Sequence, residues 1–175
     1  MTLWVHSPPK NTSPRTIENT GAMKLNERDQ IGYAAALAQA RQGAAEHGVP
    51  IGSSIFASGE LLGLGRNRRV QNGDPIAHAE IDALRNAGRR SSYAGVTLYS
   101  TLAPCALCAG AAIQFGIQRV VVGEHENFAG ELQLLKDRGI EVVLIDDPEA
   151  TAVMKNFITQ YPQLWNEDIG VETPL

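Results

Sequence analysis

The sequence predicts an α/β domain of three layers, with helices on both faces of a mixed five-stranded sheet. Three observations predict it. From residue 26 onward, short β-type runs alternate with alanine-rich segments of helical spacing. The first two β-type runs are separated by Ser58-Gly59, a turn pair, so they form a hairpin. The last two, ending at Gly123 and starting at Glu141, are separated by the 17 residues 124–140, which include a helical segment. That connection is too long for a tight hairpin and long enough for a crossover, so the last two strands are parallel.

Taken in order, Glu27 to Glu46 reads as the first helix, with Ile31, Ala34, Ala35 and Ala38 on one face. Gly48 follows its end, and His47 stands where a C-terminal cap is expected. Ile51 to Ala57 and Leu61 to Arg66 are the hairpin strands. Asp74-Pro75 is the expected N-cap and first residue of a helix that runs to Ala87 and stops at Gly88. Val96 to Thr101 is a strand, and Pro104 opens a second alanine-rich helix that ends at Gly116. Arg119 to Gly123 is a short buried strand, Phe128 to Arg138 a helix closed by Gly139, and Glu141 to Ile145 the last strand. Pro148 to Tyr161 then forms a helix and Pro162 to Ile169 a short final one.

Composition bounds the function. The chain has 175 residues with 43% hydrophobic and 19% charged, enough for one domain with a real core. Fifteen basic residues against 19 acidic give a net charge of −4, which argues against a nucleic-acid surface. No apolar run approaches the roughly 18 residues of a membrane span. Residues 1–25 carry Pro8, Pro9 and Pro14 and lack an apolar core, so they read as a tail rather than a secretory or transit segment, with Met23 an alternative start. A cytoplasmic location is the expectation, with residues 26–175 as the domain.

Two cysteines, Cys105 and Cys108, lie three apart at a predicted helix start, where the N-terminal dipole favours thiolates. Such a pair alone could also be a redox site. His78-Ala79-Glu80 lies on the preceding helix. One His and two Cys form the ligand set of a catalytic zinc with its fourth position left for water, and the chain has no third cysteine to close a structural site. Glu80, two residues from His78, is placed to move protons rather than to bind the ion. His125 is expected in a loop near the site, and His6 lies in the tail. The combination H-x-E with P-C-x-x-C is the signature of zinc deaminases.

On these motifs the chain resembles the cytidine and cytosine deaminase superfamily, and most closely the fungal-type enzymes that act on free cytosine. The segments that carry the resemblance are 48–52 (GVPIG), 65–67 (GRN), 78–81 (HAEI), 101–105 (TLAPC), 121–124 (VVGE) and 165–170 (WNEDIG), the last resembling a C-terminal substrate lid over about 161–170. The resemblance implies one Zn2+ per chain on His78, Cys105 and Cys108, with Glu80 as the catalytic proton shuttle. It implies that Asn67 and the Ala79 backbone N–H meet the base's O2, that Asp168 accepts from ring N1–H, and that Ala103 offers its carbonyl to the exocyclic amine. Ile51, Phe128 and Trp165 would pack on the base, and the enzyme would be a homodimer in pyrimidine salvage. A carboxylate at N1 discriminates against nucleosides, whose N1 carries the sugar, so Asp168 is the expected determinant of free-base specificity.

Ala79 departs from the family, which carries glycine there, and Asp82 and Ala83 stand where it more often has small polar residues. Three other readings therefore stay open. One is deamination of another amino-heterocycle such as isocytosine, creatinine or guanine. The second is a tRNA adenosine deaminase, which shares H-A-E, and the third a non-catalytic zinc-binding interaction module.

Overall fold

The computed structural model describes residues 25–171. The expectations for the tail and for Met23 lie outside these, apart from Leu25. Five strands, β1 (Gly52–Ala57), β2 (Glu60–Arg66), β3 (Val96–Leu102), β4 (Arg119–Glu124) and β5 (Glu141–Leu144), form one sheet in the order β2-β1-β3-β4-β5. The pair β1/β2 is the expected antiparallel hairpin, β1 pairs antiparallel with β3, and β3/β4 and β4/β5 are parallel. The fold class read from the sequence is the one observed.

Helix α1 (Glu27–Ala45) starts on Asn26, whose side chain accepts from the Asp29 N–H. The hairpin register separates the faces. Gly52 pairs with Arg66 and both face α1, where Arg66 donates to Glu46 and Gln39. Ser53 pairs with Gly65 on the other face, where Gly65 lies against the backbone of α3 (Ala79–Ala87) at Ala79 and Ala83. A side chain at Gly65 would collide with that backbone, so the glycine sets how closely α3 approaches the sheet.

Helices α4 (Ala106–Phe115) and α5 (Leu132–Asp137) join α3 on this face over Ile55, Leu98, Val120 and Val122, with Leu135 of α5 in the same cluster. On the α1 face, Tyr33 and Ala36 pack with Tyr99, Val121 and Val143. The alternation of Val120, Val121 and Val122 between the two clusters is the period of two of a strand buried on both faces. A third cluster, with Val49, Ile51, Leu102, Met154, Phe157 and Trp165, closes the end of the sheet under α6 (Pro148–Gln160) and α7 (Pro162–Asp168).

Two expected helix starts are corrected. Asp74-Pro75 does not cap α3: its N-cap is His78, and a one-turn helix α2 (Arg69–Asn72) precedes it. The Asp74 side chain accepts from the Ile76 N–H and its carbonyl from the Ala77 N–H, a turn that uses the groups a helix start would need. Likewise α5 begins at Leu132 rather than Phe128. Gly130 has φ 59°, a left-handed backbone that no helix continues through, and it is wedged against Ala103 and Pro104. Pro104 itself precedes α4, whose N-cap is Cys105.

Candidate active site

The site lies outside the C-terminal ends of the parallel strands β3 and β4, the usual ligand position in open α/β sheets. His78 and Cys105 are the N-caps of α3 and α4, both in extended conformation, and Cys108 sits one turn into α4. Two caps on neighbouring helices thus present donors to one point. The ligand atoms of His78, Cys105 and Cys108 all lie within 4.8 Å of one another, with Cys105 Sγ 3.4 Å from His78 Nδ1. Tetrahedral zinc with ordinary Zn–S and Zn–N lengths sets its ligand atoms roughly 3.5–3.8 Å apart. Donor types and spacing therefore both fit Zn2+.

The electrostatics agree. Cys105 is lowered to about 4, first by the hydrogen bond from the Cys108 thiol and then by His78, while Cys108 is driven up by its bond to Cys105 and by burial. The pair favours the charged form on Cys105, and a cation would displace the proton on Cys108. Burial opposes the charged form of His78, but its hydrogen bond to Cys105 and the charges of Asp168 and Glu80 outweigh this and raise it.

Glu80 is 4% exposed, and burial and the Cys105 charge raise its carboxyl above the usual range. A buried carboxyl that takes up a proton readily is suited to proton transfer. Its Oε1 accepts from Ser100 Oγ at 3.1 Å. Ser100 is fully buried on β3 and was not singled out from the sequence, where it stands among the hydroxyl residues Thr97 and Thr101 of the same strand.

A cavity of about 20 Å3 adjoins these groups, walled by Ile51, His78, Ala79, Glu80, Ala103, Cys105, Phe128, Trp165 and Asp168, with Leu102 and Ile169 completing it. Nine sequence-predicted residues are thus brought together, and Cys108 joins them through the ligand group. Phe128 and Trp165 meet edge to face, with ring centroids 6.0 Å apart. Ala103 is fixed by its N–H on the Glu124 carbonyl.

Asn67 does not share the wall. It is fully buried and donates one Nδ2 hydrogen to Asp168 Oδ1 at 2.6 Å, which sets it directly behind a residue of the wall. Arg69, not foreseen, also donates to Asp168 Oδ1, at 3.2 Å. His125 is half-buried, 3.8 Å from Asp146, and outside the cavity wall. Asp82, at a departure from the family pattern, bridges β2 and α3 by accepting from the Arg66 N–H. No helix among the described residues is long and apolar enough to cross a membrane.

Comparison with known proteins agrees with this geometry. The sequence model of the cytidine and deoxycytidylate deaminase zinc-binding region matches residues 26–124. A cytosine deaminase of Candida albicans is 46% identical over 145 residues, which cover 81% of this chain and 97% of that enzyme. A tRNA-specific adenosine deaminase of Buchnera aphidicola is 41% identical over 104 residues, covering 58% of this chain and 68% of that one. The solved guanine deaminase of Nitrosomonas europaea superposes with TM-score 0.65 at 25% identity, over 77% of this chain and 85% of that chain. The zinc ligand triad, the buried glutamate beside it and this extended match together make the chain a member of the cytidine and deoxycytidylate deaminase family.

Proposed function

We propose that the chain hydrolyses free cytosine to uracil and ammonia. The observation that carries this reading is Asp168: a carboxylate on α7, in the wall of the same small cavity as His78, Glu80 and Cys105. A buried acceptor there favours a ring N–H and rejects a substituted nitrogen. The 46% identity to the Candida albicans cytosine deaminase across nearly that whole enzyme supports the same substrate.

Zn2+ held by His78, Cys105 and Cys108 would supply a Lewis acid that makes water acidic enough, with a pKa of about 7, to attack near neutral pH. Glu80, steadied by Ser100, takes the proton from the attacking water and passes it to ring N3, making C4 electrophilic. As the C4–N bond breaks, Glu80 returns a second proton to the amine, and ammonia leaves with uracil as the other product. Asp168 and Asn67 hold the N1–H and O2 edge, helped by the Ala79 N–H, and the Ala103 carbonyl receives the exocyclic amine. Ile51, Phe128 and Trp165 enclose the ring. The cavity has room for about one water and not for a pyrimidine, so the segment 161–170 acts as a lid that shifts to admit the base.

The same reading includes a homodimer in the cytoplasm, serving pyrimidine salvage, with no nucleic-acid partner and with 26–175 as one deaminase domain. Exposed Leu107 and Phe115 on the outer side of α4 support self-association, which sedimentation tests directly: a single 18.8 kDa species would reject it.

The test of substrate is ammonia release by the zinc-loaded protein from cytosine, cytidine, isocytosine, creatinine, guanine and an RNA hairpin in parallel. Ala79, which adds a methyl group to the cavity wall, is the reason for the other bases. Ammonia from cytosine and none from cytidine is the expected result. Silence on cytosine with turnover of another compound rejects the substrate while retaining the zinc chemistry.

A further inference from the structure

The structure assigns Arg69 a role in substrate recognition: it is a positioning residue that orients Asn67 and Asp168 together. This inference rests on the reading of Asp168 as the acceptor of ring N1–H. Arg69 reaches both residues, by different groups. Its backbone N–H donates to Asn67 Oδ1 at 3.1 Å, and its guanidinium donates from NH1 to Asp168 Oδ1 at 3.2 Å. Nε is anchored on the Pro75 carbonyl at 3.2 Å, so the guanidinium plane is held at two points.

The geometry leaves Asn67 one orientation. With its carbonyl oxygen on the Arg69 N–H, its Nδ2 must face Asp168, where the 2.6 Å bond is found. The flipped amide would set two donors against each other and two oxygens against each other. Of the two Nδ2 hydrogens, one goes to Asp168 and the other remains for a ligand carbonyl. Asp168 receives both side-chain donors on Oδ1, and Oδ2 takes neither. The pair therefore presents one donor and one acceptor side by side, complementary to the adjacent C2=O and N1–H of a free pyrimidine.

Arg69 also supplies the charge that makes this arrangement tenable. The Asp168 side chain is 4% exposed, and a carboxylate so buried needs a paired cation. Because Asp168 is on α7 and Arg69 opens α2, the ion pair ties the lid segment to the body. The Asp74-Pro75 turn, which does not start α3, acquires a purpose here: its Pro75 carbonyl holds the guanidinium in place.

The test compares cytosine with 1-methylcytosine, which lacks N1–H, in wild type, R69Q, R69K and D168N, with zinc content measured for each. For R69Q the expected result is a rise in KM for cytosine of about 10- to 100-fold, the range of a hydrogen bond to a charged group, with kcat within about threefold. The preference for cytosine over 1-methylcytosine falls by the same factor, R69K is intermediate, and zinc content is unchanged. A merely structural ion pair would lower stability and leave that preference intact. An R69Q enzyme that keeps the wild-type preference overturns the role, and if R69Q does not fold, an unchanged preference in R69K does so. The two readings fail separately. D168N retaining the preference rejects the N1–H contact itself, whereas D168N losing it while R69Q keeps it rejects Arg69 alone.

Discussion

Between the sheet and helices α3 and α4 lie Ile55, Leu98, Val120 and Val122 of the strands and Ala109 and Ala112 of α4, all apolar. At the C-terminal ends of β3 and β4 an equal depth of burial goes to Asn67, Glu80, Ser100, Thr101, Glu124 and Asp168. The first region needs only volume and apolarity, which many side chains supply, so it tolerates exchanges that conserve size. In the second, each group needs a partner at hydrogen-bond distance, and the partners come from distant segments: Asn67 and Asp168 are 101 residues apart in sequence. The apolar region gives the fold its stability, and the polar end turns that rigidity into placed donors and acceptors. Substitutions in the two regions should therefore differ in kind, one set moving stability and the other moving turnover.

The largest effect separates the two most sharply. Glu80→Gln is expected to keep one zinc per chain and a near-normal melting temperature while lowering kcat about 10²- to 10⁴-fold, the usual range for general acid–base catalysis. Metal analysis and steady-state kinetics check it, and retained turnover would remove Glu80 from the mechanism. Leu98→Ala is the converse. It should cost about 2–5 kcal/mol in denaturant unfolding, with kcat of the folded fraction unchanged. A fall in kcat there would show that the apolar face also tunes the site.

Phe128 and Trp165 stand at the border between the regions, apolar in character but in the cavity wall. A double-mutant cycle to leucine should give a coupling of about 0.5–1.5 kcal/mol in cytosine binding, as for other edge-to-face pairs. Zero coupling would mean the rings act separately on the base. The smallest effect is expected at the surface pair of Arg41 and Glu149, linking α1 to α6, where Arg41→Ala should change stability by less than about 1 kcal/mol. A larger change in thermal unfolding would show that this exposed pair belongs to the network of Tyr33 and Asp147 behind it.

Much of this was legible in the sequence because the signals were local. Strand and helix periods, the Ser58-Gly59 turn, the glycine after α4 and the length of the β4–β5 connection each act over a few residues. The zinc group was legible for a chemical reason: two cysteines one turn apart and a histidine beside a glutamate are residue types with few other uses together. The errors came where one local signal met another. Asp74-Pro75 has the composition of a helix start and also of a tight turn, and the turn prevailed because its groups are satisfied within four residues. Gly130 was invisible as a helix breaker until its packing against Ala103 fixed its left-handed φ.

The sequence by itself therefore determined the class of fold, the order of its strands and the His, Cys and Cys set that fits a metal, with a glutamate beside it, since each depends on residue type and short-range spacing. Only the tertiary structure decided that Asn67 donates to Asp168, that Ser100 donates to Glu80, and that Arg69 of α2 pairs with Asp168 of α7. Those contacts run between segments up to 101 residues apart, and nothing in a linear pattern encodes which distant polar groups will meet. Their meeting follows from sheet order and helix packing, which bring the chain together first and leave the buried polar groups to find the partners they require.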